Sequence, residues 1–311
     1  MEAAELAGPA TRPVQLFYAL SQGGRAIAAA SRRLPAEITA ADANDPAESR
    51  QETINWRLKG HGITAPGTSV RQVGNVTVRA AATGLMPGVA LAIGAASLCP
   101  EEKLKLNDLW HLLPEALSVP LSTATGVPAL AIESANKWSL EHDNCYIVTL
   151  SGGLSSIYAE CGDDKEKIAL FLDRYPTLKG YGFPNADDTT VWVPTDKPGK
   201  PLLNVYWGSP SEKYKDLLQA TRQLKGTRYR EEHDCWVFPS VGQMTDALHP
   251  LIAWWAILFG LSMMARYEPA NWYAMTQIDS SPDANAIEHV LDQALDVIPS
   301  ILLEGVRLAS V

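Results

Sequence analysis

Cysteine is scarce: four residues in 311, at positions 99, 145, 161 and 235. None stands in a CxxC pair; Cys235 has His233 two residues away and Cys145 has His142 three residues away. Lone thiols are therefore expected, rather than a disulfide framework or a zinc site. An excess of positive charge is also missing. Against 35 Asp and Glu stand 26 Lys and Arg, for a net charge of −9 and a pI near 5.2. That argues against broad nucleic-acid binding, which needs a cationic face, and mainly favours solubility. The chain holds no P-loop and no GxGxxG turn, so a standard nucleotide fold is not expected. Ser151-Gly152-Gly153-Leu154-Ser155 lacks the GxSxG elbow of a serine nucleophile and reads as a hairpin turn. The paired acids Asp163-Asp164 and Asp187-Asp188 lie at loop or capping positions without further ligands. No metal and no cofactor is expected. The N-terminal MEAAELAGPATRP has acids and no apolar core, so a cytoplasmic protein is expected.

What the chain does have is one long apolar stretch, Leu248–Trp272. Between Leu251 and Ala265 only Gly260 and Ser262 interrupt it. It is apolar on every side, as in a membrane span or the central helix of a large core. It falls short of the ~18–20 apolar residues of a span, and mean hydropathy over the chain is −0.07. A buried helix is expected, and no membrane partner. Pro250 suits its first turn, Arg266 its negative end, and Pro269 stops it.

Around this helix the sequence predicts an α+β fold. Residues 1–12 read as a flexible tail and 13–311 as one domain: a helical part over 13–120, a mixed β-rich middle over 140–240 and a helical part over 245–309. Val14–Arg32 has helical spacing, with Gly23-Gly24 marking close packing or a bend. Residues 35–53 read as a mobile connection. Pro100-Glu101-Glu102 starts a helix, and Asn107 or Asp108 caps a second one. Cys145–Leu150 and Leu154–Glu160 read as the two arms of a hairpin, and Asp163–Tyr175 as a helix. Thr189–Pro194 and Leu202–Trp207 read as strands. Ser209-Pro210-Ser211-Glu212 opens a helix running to about Leu224, and 227–238 reads as a second hairpin. A loop over 273–282 precedes two terminal helices separated by Pro299.

Four blocks together resemble the YaaC-like family: QLFYALSQGGRAIAAA at 15–30, GHG at 60–62, LNDLWHLLPEAL at 106–117 and HPLIAWWAILFGLSMMARYEPANW at 249–272. The last is the most specific, ending in Arg266-Tyr267-Glu268-Pro269 and Trp272. The likeness runs over most of the chain and is weaker over 120–210. It implies a bacterial protein and carries no mechanism.

Three groups of residues are candidates for function. Arg266, Tyr267, Glu268 and Trp272 place a guanidinium and a carboxylate at the mouth of the core helix, able to hold an anionic ligand or a partner's acidic group. The plainer reading, which is favoured, has Arg266 tying down the helix end and Trp272 covering the core. His61 stands in a Gly60-His61-Gly62 turn able to present it to an anion or a partner; the favoured reading is a turn whose glycines supply positive φ. Arg25, beside Gly23-Gly24, joins these as a binding residue on an exposed face. Arg228 and His233 are the weakest pair. Arg-x4-His is the spacing of HEPN ribonucleases, in which arginine holds phosphoryl charge and histidine moves a proton. Here the segment alternates like a strand, which sets the two on opposite faces. The sequence as a whole favours a protein that acts by binding, to a protein partner or to itself as a homo-oligomer. A HEPN-like ribonuclease of toxin or phage-defence type and an enzyme on a small molecule are the alternatives.

Overall fold

The computed structural model describes residues 2–34, 36–38, 52–54, 58–123, 126–140, 143–178, 181–182, 192–193, 201–207, 229 and 235–311. The elements run α1 (Glu2–Glu5), α2 (Arg12–Ala30), β1 (Ala36–Ile38), β2 (Glu52–Ile54), β3 (Ile63–Gly67), β4 (Thr77–Ala80), α3 (Leu85–Ala92), β5 (Lys103–Lys105) and α4 (Leu106–Trp110). Then come β6 (Leu130–Leu140), β7 (Asp143–Ser151), α5 (Leu154–Cys161), α6 (Lys165–Leu172), β8 (Tyr181–Gly182), β9 (Trp192–Val193), β10 (Leu202–Trp207) and β11 (Trp236–Val237). The chain closes with α7 (Pro250–Tyr267), α8 (Pro269–Met275) and α9 (Ala284–Ala309). The class is α+β, as the sequence predicts.

Helix α7 is long and apolar enough to cross a membrane, and it lies inside the fold. Trp254, Trp255 and Phe259 are 0%, 0% and 3% exposed. Each large side chain buried there stabilises the fold by roughly 1.5–3 kcal/mol before entropy. Its N-cap is His249, whose Nδ1 accepts the Leu251 N–H at 3.1 Å. Burial pushes the His249 pKa from 6.5 to about 4, so the imidazole is neutral and free to accept.

Helix α2 packs antiparallel on α7. The Phe17 and Phe259 rings meet at 5.2 Å. Gly24 faces Trp255, and the far ends Ile27 and Leu251 both meet Gly305 of α9. Gly23-Gly24 therefore serves close packing, against Leu302 and Trp255 respectively. Strands β3, β4 and β5 form an antiparallel sheet beside these helices. The larger antiparallel sheet has the order β11-β6-β7-β10-β8, with β9 also on β10. It carries its own apolar cluster with α5 and α6, including Val148, Leu150, Leu154, Ile157, Ile168, Leu203 and Val205.

Several local expectations are corrected. Leu154–Cys161 is a helix, not a strand: Leu154, Ile157 and Cys161 are buried at spacings of three and four, a helical stripe. The partner of β7 is β6, in register from Ala131↔Ser151 to Leu140↔Asp143. The C-terminal helix is continuous through Pro299. The inward stripe Val290, Leu291, Ala294, Val297, Ile298 and Ile301 outweighs the ~3 kcal/mol that an interior proline costs. Glu101 takes φ +66 in a turn, so no helix starts there, and Lys103–Lys105 pairs with β4. Asp108 acts from the third helical position of α4, accepting the Lys105 N–H at 3.0 Å. Within the 35–53 connection, β1 and β2 pair antiparallel. The first twelve residues include α1 with Ala4 buried, and Tyr273 to Met275 of the expected loop belong to α8. The helix expected from Ser209 lies outside the described residues, as does the first arm of the 227–238 hairpin.

Candidate binding site

The turn that carries His61 is locked by its backbone. Gly60 and Gly62 take φ +75 and +74, the left-handed region glycine enters without a Cβ penalty. The turn aims two carbonyls at α3: Gly60 O accepts the Leu85 N–H at 3.1 Å and His61 O the Met86 N–H at 3.0 Å. Two otherwise orphaned donors of that helix are so satisfied. A Cβ on Gly84 would lie 2.6 Å from the Gly62 Cα, so the turn sits on the helix start at a distance that only glycine allows. The plainer sequence reading of these glycines holds.

The same lock fixes the imidazole. His61 is exposed, yet its ring rests on two buried rings: edge-on to Phe17 at 5.4 Å and tilted against Phe259 at 6.0 Å. Burial lowers its pKa first, and the positive charges of Arg266 and then Arg25 lower it further. Three sequence candidates from three separate elements are thus brought within electrostatic reach of one another. Phe259 and Arg266 are seven residues apart on α7, as are Tyr18 and Arg25 on α2, two helical turns in each case. Tyr18 is 44% exposed and Tyr267 58%, and the Tyr267 ring flanks Arg266 at the surface. Sequence reasoning missed the floor of Phe17 and Phe259 and the exposed Tyr18.

The four residues at the end of α7 divide their work. The Arg266 guanidinium stacks on the Tyr267 ring, 5.0 Å from its centroid, and donates to its hydroxyl at 3.1 Å. Such stacking holds the arginine head while leaving its outer N–H groups toward solvent. Glu268 serves structure: its oxygens accept from Ser69 Oγ at 2.7 Å and Asn271 Nδ2 at 3.1 Å. Trp272 is 2% exposed and donates to the Pro9 carbonyl at 3.3 Å; it covers the core, as the plainer reading has it. Arg228 and His233 lie outside the described residues.

A second polar place was not read from the sequence. A cavity of about 280 Å³ is lined by Glu115, Tyr229, Trp236, His289 and Gln293 among others. Trp254 Nε1 donates to the Tyr229 hydroxyl at 2.8 Å, which donates to Glu115 Oε2 at 2.9 Å. His289 Nε2 lies 2.9 Å from the Glu115 carbonyl. Its residues come from three distant stretches with no shared motif, so no sequence signal marked it.

The model of the YaaC-like protein family matches residues 1–306. The match covers nearly the whole chain, and the chain belongs to that family. No curated protein and no solved structure matches it.

Proposed function

We propose that this YaaC-like protein acts by binding, and that the face around His61 is where it binds the anionic group of a protein partner or of a second copy. One observation carries the reading. On a chain of net charge −9, the His61 ring rests on Phe17 and Phe259, and the positive charges of Arg266 and then Arg25 bear on it. The Arg266 guanidinium is held by stacking on the Tyr267 ring, which pre-orders it for an anion. Arginine with aromatic neighbours is also the composition of binding hot spots. A cytoplasmic place of work belongs to the same reading and is supported by the free thiols of Cys99, Cys161 and Cys235. The test is isolation of the protein with whatever it retains, wild type beside Arg25→Gln/Arg266→Gln. Loss of the retained partner or of the oligomer in the double variant, at unchanged thermal stability, supports it; equal retention overturns it.

The cavity at Glu115, Tyr229 and His289 favours a small-molecule site as a second reading, since a carboxylate, a phenol and an imidazole converge there. A thermal-shift screen against a metabolite library tests it. A stabilising compound whose effect is lost in His289→Ala supports that site, and a screen without stabilisers removes it.

A further inference from the structure

The second cavity has a fixed direction of hydrogen bonding, and that direction selects what it can hold. An indole N–H can only donate, so in the 2.8 Å contact between Trp254 Nε1 and Tyr229 the phenol oxygen accepts. The phenol's own proton then goes outward, to Glu115 Oε2 at 2.9 Å. A backbone carbonyl can only accept, so in the 2.9 Å contact between His289 Nε2 and the Glu115 carbonyl the imidazole donates. Glu115 is thus gripped at both ends, its side chain by Tyr229 and its backbone by α9. It lines the cavity as an acceptor set in place before a ligand arrives, which spares the ligand the cost of ordering it. A carboxylate has about four lone-pair sites, so accepting from Tyr229 leaves it able to accept from a ligand as well.

The rest of the wall agrees. Gln293 stands one turn beyond His289 on α9 and lines the same cavity; its amide can turn an oxygen toward a donor. Pro114 and Trp236 supply apolar wall, and Trp236 is fixed by the pairing of β11 with β6, opposite Ala131. Among the described residues that line the cavity none is lysine or arginine, so none of them offers an anion a positive charge. At about 280 Å³ the space is at the small end of ligand cavities. Resting on the small-molecule reading of this cavity, we propose that its ligand is a small organic cation, an amine or guanidinium on a short apolar stem. The head donates to the Glu115 carboxylate, a charge-assisted bond about twice as strong as a neutral one, and the stem lies against Pro114 and Trp236. Through Tyr229 the bound head is tied to Trp254 of the core helix, so the ligand also stabilises the fold.

The experiment is thermal shift and titration calorimetry of the full chain with probes that share one apolar stem: butylammonium, butylguanidinium, 1-butanol and valerate. The expected result is binding and stabilisation by the two cations, with the alcohol and the carboxylate about tenfold weaker or more. Glu115→Gln keeps an acceptor oxygen for the Tyr229 hydroxyl and is expected to weaken the cations by about tenfold or more while leaving 1-butanol unchanged. Gln293→Lys sets a positive charge in the wall without touching the relay, and is expected to weaken the cations as well. Cation binding that survives both variants in full overturns the proposal. Valerate or 1-butanol binding as tightly as the cations overturns the cationic class and leaves the small-molecule reading standing. Binding by none of the four overturns the proposal, and a library compound whose stabilisation is lost in His289→Ala then keeps the cavity as a site for another class of ligand.

Discussion

Gly24 of α2 faces the indole of Trp255 so closely that a Cβ on the glycine would lie 2.7 Å from Cζ3 of the ring. An alanine there gains up to about 1 kcal/mol in helix propensity and meets a rigid, fully buried ring that has nowhere to go. The clash wins: Gly24→Ala is expected to destabilise by ~2–3 kcal/mol, read as a lower denaturant midpoint. Gly23→Ala is the control. It meets only the flexible end of Leu302, which can swing, so its expected effect is much smaller. Equal effects at the two positions contradict the antiparallel packing of α2 on α7.

Acid is expected to loosen the core helix through His249. Its folded pKa of about 4 lies below the ordinary 6.5, so unfolding takes up a proton between those values. The contribution is complete above pH 6.5 and is lost as pH falls toward 4. The full difference corresponds to roughly 3 kcal/mol. His249 is half-buried, and the solvent screening this allows lowers the expectation to about 2 kcal/mol. A protonated ring also loses its cap to Leu251 and sets a cation at the positive end of the helix. Chemical unfolding at pH 7.5 and 5 checks this: His249→Asn, which caps without titrating, is expected to lose less stability on acidification than wild type.

Tyr229 holds the inner end of the second cavity. Tyr229→Phe leaves Trp254 Nε1, fully buried, without its Tyr229 acceptor and removes the hydroxyl that donates to Glu115. An unmet buried donor costs about 1–3 kcal/mol, and that loss is expected in equilibrium unfolding. Stability equal to wild type contradicts the Trp254–Tyr229–Glu115 relay.

The elements that sequence gave most firmly are those whose signals are local. Helix α7 was legible because Leu251 to Ala265 is apolar throughout and Pro250 and Pro269 bracket it. The Gly60-His61-Gly62 turn was legible because only glycine suits its backbone. Leu154–Cys161 was misread because a short apolar run after Gly152-Gly153 fits a hairpin arm as well as a helix, and its buried stripe emerges only against the sheet. Pro299 signalled a break that the inward face of α9 overrides. Arg25, His61 and Arg266 could each be named from sequence, but the charges of the two arginines bear on His61 only through the packing of α2 on α7. That is a tertiary fact with no local trace. The residues of the Glu115 cavity carried no signal at all.

The most direct test of the account is the mass of the complex isolated from cells that express the protein natively, wild type beside Arg25→Gln/Arg266→Gln. The account predicts that wild type carries a bound protein partner or a second copy, and that the double variant, equally stable, comes away alone. A wild type that is a bare monomer, or a double variant that keeps its partner in full, contradicts it.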